Sequence, residues 1–243
     1  MSPAVLHAVG GEGAALAAGS AVGSFPAASG AVVAAGAALG GAAIGALLTP
    51  WLRRTWLPKL PRWLLPALTA VVWVILTRQL TSATPALLVV ATGTVLVTVV
   101  DLGLHRLPTG PIRITTCLAL LALLAAGLLA DEAQVGWAQV AWSIGGGLGY
   151  PGFLACLRAI KLRGGAPVGI GDVRLAVPLG LTAGWCGPMA LLVAIAGAFV
   201  AGGLVACGLL ATGRAKATDR IPFGPAMALG WLAAVAVDWS QLT

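Results

Sequence analysis

Leu87-Leu88-Val89-Val90-Ala91-Thr92-Gly93-Thr94-Val95-Leu96-Val97-Thr98-Val99-Val100 is an unbroken uncharged run that ends on Asp101. A bilayer core of about 30 Å takes roughly 20 apolar residues as a helix, and only a helix or a closed barrel satisfies its backbone groups in lipid. The run therefore reads as most of a membrane span with a carboxylate at its end. Similar apolar stretches, bounded by charge, Pro or Gly, recur from Ala31 to Trp239. They predict spans at 31–50, 63–80, 85–101, 113–130, 137–157, 172–186, 187–211 and 222–239. The expected fold is all-α: a polytopic integral membrane bundle of about eight transmembrane helices, in one domain over 31–243. Residues 1–30 are Ala/Gly-rich, carry Glu12 and lack a basic start, so they do not read as a cleavable secretory signal and stay unassigned.

Composition agrees with this fold. Of 243 residues 59% are hydrophobic and 9% charged, where soluble domains carry roughly a quarter charged residues. The 34 glycines would weaken helices in water, but in lipid small residues let helices approach closely. The net charge of +7 does not point to nucleic acid, because the basic residues fall singly or in pairs between apolar runs without aromatic interleaving. They mark topology. Arg53, Arg54, Lys59 and Arg62, Arg106 and Arg113, Arg158, Lys161, Arg163 and Arg174, and Arg214, Lys216 and Arg220 all fall on one side of the predicted bundle; only Arg78 falls opposite, with Glu12, Asp131, Glu132 and Asp238. Lys and Arg in short loops stay cytosolic. The expected location is the cytoplasmic membrane, multi-pass, with the N-terminus outside.

On this topology Asp101 and Asp172 meet at the cytosolic membrane surface. Carboxylates at membrane depth are costly and usually serve a cavity or a path. Asp101, at a helix C-terminus, is opposed by the helix dipole, whereas Asp172, in Gly169-Ile170-Gly171-Asp172, is well placed to cap the helix that it opens. Cys117, Cys156, Cys186 and Cys207 are isolated, with no C-x-x-C pair, and read as buried structural thiols. His105 has no Cys or second His nearby, so no metal site is expected. Asp219, between Thr218 and Arg220, reads as a solvated or paired charge. Trp51, Trp56, Trp63, Trp185 and Trp239 read as interfacial anchors.

Gly169-Ile170-Gly171-Asp172-Val173-Arg174-Leu175 resembles the G-x-G-D-x-K-L signature of prepilin peptidases, which are membrane aspartic proteases, with Arg174 in place of the commoner Lys. Asp101-Leu102-Gly103-Leu104-His105-Arg106-Leu107-Pro108 is similar to that family's first aspartate with its basic residue and Leu/Ile-Pro turn, and Ile221-Pro222-Phe223-Gly224-Pro225 to its I-P-F-G-P motif. The three segments fall in the family's order over about 85–235. The resemblance implies Asp101 and Asp172 as catalytic groups and Gly169, Gly171, Arg174, Pro222, Phe223, Gly224 and Pro225 as their supporting loops. Pilin-like precursors with short basic leaders are the implied substrates, and no metal or cofactor is needed. The cysteine-bearing cytosolic domain of bifunctional members is missing, so the resemblance implies peptidase activity without N-methylation. Two glycines beside Asp172 would let a substrate backbone pass close, or would supply a loop with positive φ. Pro222 and Pro225 suit the start of the last helix. The rival reading is a small proton- or ion-coupled transporter, whose acids would sit near the bilayer midplane. The lipid bilayer is the other expected partner, and no oligomeric state can be read from the sequence.

Overall fold

The computed structural model describes residues 27–78, 80–104, 107–130, 133–160, 168–213 and 222–237. These form eight α-helices: α1 Ala27–Thr55, α2 Leu64–Leu76, α3 Thr84–Leu104, α4 Thr109–Leu128, α5 Ala133–Ala159, α6 Ile170–Trp185, α7 Pro188–Ala211 and α8 Gly224–Val235. There is no strand among the described residues. Five helices, α1, α3, α4, α5 and α7, are long and apolar enough to cross a membrane; α2 and α8 are shorter apolar helices. The chain is a helical protein with the character of a multi-pass membrane protein.

Each predicted span coincides with one helix, with shifted ends. α1 runs through Pro50 to Thr55, five residues past the expected stop. Proline in a helix forfeits one backbone bond and strains the preceding turn, but it does not compel an end. Here the helix goes on to bury Leu52 completely. α2 stops at Leu76, short of the expected 80, and α8 at Val235, short of 239. Residues 27–30, left unassigned on sequence, open α1.

Glycine sets how closely the helices meet. Along the α5–α6 seam, a Cβ on Gly180 would run into the carbonyl oxygen of Gly146, and one on Gly184 into that of Trp142. The two backbones are in contact, the close approach that small residues permit between membrane helices. Ser143 Oγ crosses the same seam to donate to Leu181 O at 2.9 Å. Trp231 Nε1 of α8 donates to Thr182 Oγ1 of α6 at 2.8 Å, both groups being buried. α6 is thereby fixed on two sides. It is the most enclosed helix, with every residue from Leu179 to Trp185 buried.

Two sequence expectations are corrected. Cys117, Cys156 and Cys207 are exposed, on outward faces of apolar helices that suit lipid, and are not interior thiols; Cys186 is partly buried and packs against the core. Trp185 is buried in the protein instead of anchoring at an interface, because the bundle closes over the end of α6, while Trp51 and Trp63 are exposed. Glu12, His105, Arg106, Asp131, Glu132, Lys161, Arg163, Arg214, Lys216, Asp219, Arg220, Asp238 and Trp239 lie outside the described residues.

Candidate active site

α3 ends and α6 and α8 begin at the same end of the bundle, and all three helices pack on one another. Asp101 lies one turn before the end of α3, which runs on to Leu104, and Asp172 is the third residue of α6. Only 4% of Asp101 and 8% of Asp172 is exposed, and carboxylates are almost never buried so far unless a partner holds them.

Their partners are alike. Gly169, the residue preceding α6, donates its backbone N–H to Asp172 Oδ2 at 3.0 Å. Gly224, the first residue of α8, donates its backbone N–H to Asp101 Oδ2 at 3.3 Å. Each carboxylate thus sits at a helix N-terminus, where unpaired N–H groups and the positive end of the dipole favour negative charge. This resolves the poor position of Asp101 on its own helix: the N-terminus of α8 offsets the C-terminus of α3. It also corrects the expected role of Asp172, since the residue at the N-cap is Gly169 and the carboxylate reaches back from the third position, as in the returning half of a capping box.

Both glycines are required by the carboxylates themselves. A Cβ on Gly169 would come 2.9 Å from Asp172 Oδ2, and a Cβ on Gly224 would come 2.8 Å from Asp101 Oδ2. Gly171 makes room for Leu107, whose Cβ would lie 2.7 Å from an added methyl. The same Leu107 side chain reaches within 3.6 Å of the Cβ position of Gly224. One residue therefore touches both aspartate loops, and the two carboxylates are near enough for the charge of Asp101 to act on Asp172. The left-handed backbone considered for the Gly169 loop is absent: Gly169 has φ −72°, and the only positive-φ glycines among the described residues are Gly187 and Gly213. Close packing, not backbone freedom, explains Gly169 and Gly171.

Of the remaining expected residues, Pro222, Phe223 and Pro225 flank Gly224 in the chain and Arg174 follows Asp172 by two residues. Pro225 stands in the first turn of α8, which tolerates a missing N–H, and Pro222 comes just before it. Phe223 packs over Gly202 and lies 5.4 Å from Phe199, which meets Phe153 edge-on at 6.0 Å. Arg174 is exposed, and its Nη1 donates to Thr109 Oγ1 at 3.0 Å, tying α6 to the start of α4. No group of three His, Cys, Asp or Glu side chains that would hold a metal occurs among the described residues.

No family model, curated protein or solved structure matches the chain.

Residues that the sequence did not single out complete the site. Arg158, read only as a topology marker, donates Nη1 to Val168 O at 2.7 Å and holds the chain just before Gly169. Its position in the last turn of an apolar helix is the one signal that was legible. The hydroxyls of Thr94, Thr98 and Tyr150 are buried and have no hydrogen-bond partner among the described residues. Thr94 and Thr98 precede Asp101 by seven and three residues, on one face of α3, and Tyr150 lies within electrostatic reach of Asp172. For a catalytic role of the two carboxylates, Arg158→Gln is expected to slow the reaction by about 10-fold, because a charge-assisted hydrogen bond worth roughly 1.5–3 kcal/mol is replaced by a weaker one. Arg174→Gln removes an exposed contact and is expected to change stability by less than about 1 kcal/mol. Rates and unfolding midpoints of the two variants, measured side by side, check both.

Proposed function

We propose that the chain is a membrane aspartic endopeptidase of the prepilin-peptidase type, which removes short basic leaders from pilin-like precursors at the cytosolic membrane face. The observation that carries the reading is the pairing of Asp101 with Asp172. Separated widely in sequence, they are brought to one end of the bundle, each held by a glycine N–H at a helix start and both bordered by Leu107. Two carboxyls sharing a site cannot both ionise readily, so one serves as base and the other as acid. The ionised member takes a proton from water as the water attacks the scissile carbonyl. The protonated member hydrogen-bonds the carbonyl oxygen as it becomes tetrahedral, then gives its proton to the leaving amine.

The substrate side follows from the same surroundings. Gly169 and Ile170 are exposed beside the buried Asp172, so an extended backbone has access from the loop side. The cytosolic face is basic, and long-range charge would repel a basic leader, so attraction has to come from the two carboxylates at close range. In this reading the helical bundle spans the membrane with the N-terminus outside, opposite the side that carries most of the Lys and Arg.

The test is incubation of the purified protein in detergent with a pilin-like precursor, with the products weighed by mass spectrometry. A single cut at the junction of the basic leader and the apolar segment supports the reading. An intact precursor, together with proton or ion flux in proteoliposomes of the same preparation, would replace it by the transporter reading.

A further inference from the structure

At the end of α1 that bears its basic last turn, remote in sequence from both aspartates, Arg53, Arg54 and Arg62 line a recess of about 630 Å³ together with Ala46, Thr49, Pro50 and Pro58. Among the described residues no carboxylate lines it. Arg53 Nε and Nη2 both donate to Pro58 O, at 3.4 and 3.2 Å, which folds the α1–α2 connection back over the helix end and closes the recess from one side. Neither Arg54 nor Arg62 has a hydrogen-bond or ion-pair partner among the described residues. Three guanidinium groups drawn together without a counter-charge repel one another, and a bound anion relieves that repulsion.

The surface leading into the recess shows which anion. Val32, Leu39 and Leu47 are the most exposed large apolar residues of α1, between 73% and 74% open. At 3.6 residues per turn they share one face with Ala46, Pro50 and Arg54, so the outward apolar stripe of α1 ends in the arginine recess. Trp51 and Trp63, both exposed, stand on either side in sequence, the residue type that settles at the depth of lipid headgroups. An apolar stripe ending in clustered cations matches a molecule with an acyl chain below and a phosphate above.

We infer that the recess formed by Arg53, Arg54 and Arg62 binds the phosphate of an anionic phospholipid whose acyl chain lies along Leu39 and Leu47 of α1. The phosphodiester accepts hydrogen bonds from the planar guanidinium forks, for which arginine is better shaped than lysine. The site is independent of the peptidase reading, since none of its residues belongs to the aspartate loops.

The test uses the full-length protein in a neutral detergent, with phosphatidylglycerol, phosphatidylcholine of the same chains, and inorganic phosphate as probes. Retained lipid per protein and the unfolding midpoint are read for each. Phosphatidylglycerol is expected to be retained and to raise the midpoint, while phosphatidylcholine and inorganic phosphate do neither. Each basic residue near an anionic lipid is worth about a 5-fold change in binding, so Arg53→Gln, Arg54→Gln and Arg62→Gln together should weaken it by about 100-fold. Arg78→Gln, Arg113→Gln and Arg174→Gln together remove the same charge elsewhere and should leave binding within about 2-fold. Should the first triple variant fail to fold, Arg62→Gln alone, at an exposed position, should still weaken binding by about 5-fold. Unchanged binding in the first triple variant, or in Arg62→Gln where that variant decides, overturns the inference. So does equal loss in the second triple variant, or an equal midpoint shift from inorganic phosphate, which would make this a site for free phosphate.

Discussion

Gly180→Val is expected to destabilise the bundle by about 3 kcal/mol or more, the upper range for forcing extra atoms into a packed interior. A Cβ at this position would enter the carbonyl of Gly146 and come 3.1 Å from Tyr150 Cβ. The obstacle is backbone, so no rotamer change relieves it, and α5 and α6 have to separate. Separation would open the seam that Ser143 bridges and would move the start of α6, which carries Asp172. Gly149→Val on α5 is the matched control: a Cβ there meets nothing within 4 Å, and a change within about 0.5 kcal/mol is expected. Unfolding of the two variants in a denaturing-detergent titration, followed by far-ultraviolet circular dichroism, reads the difference.

Gly224→Ala is expected to have the opposite signature, a folded protein with cleavage slowed by about 10-fold to 100-fold. Alanine in the first turn of α8 favours the helix. Its Cβ, however, would lie 2.8 Å from Asp101 Oδ2, closer than carbon and oxygen tolerate. The carboxylate has to retreat by roughly half an ångström, which lengthens or breaks its 3.3 Å bond to the Gly224 N–H. A displacement of about 1 Å in a catalytic group can cost about 100-fold in rate. Steady-state cleavage at matched folded concentrations, with the unfolding midpoint recorded alongside, separates this effect from loss of fold.

Much of the fold was legible because a bilayer imposes few solutions. Uncharged runs such as Leu87 to Val100 had to be helices, and charges between them had to mark ends. The ends themselves were less legible. Pro50 reads as a stop, yet α1 passes through it to Thr55, because burying Leu52 outweighs one missing backbone bond. Trp185 carries the signature of an interfacial residue, but which side of a helix end the neighbours cover is a tertiary fact.

The candidate site divides in the same way. Asp172 and its glycines are local, so motif spacing revealed them, although the reason for Gly171 lies in Leu107, far away in the chain. For Asp101 the position at the end of an apolar run was visible, whereas its partner was not. Nothing in α3 announces that the N–H of Gly224, 123 residues later, receives the carboxylate and turns an unfavourable dipole into a favourable one. Arg158 and Tyr150 were missed for the same reason: what they touch is set by how α5 lies on α6.

The central claim is that Asp101 and Asp172 together perform the cleavage. The measurement that tests it most directly is the initial rate of precursor cleavage by wild type, Asp101→Asn and Asp172→Asn at equal amounts of folded protein. Asparagine keeps the size of the side chain, and its carbonyl oxygen still accepts the Gly224 or Gly169 N–H, so both variants should fold. Neither can exchange a proton with water or with the carbonyl oxygen, and a loss of at least ~1000-fold is expected from each. A near-normal rate in either variant would reduce that aspartate to an acceptor for the N–H at a helix start and contradict the two-carboxylate mechanism.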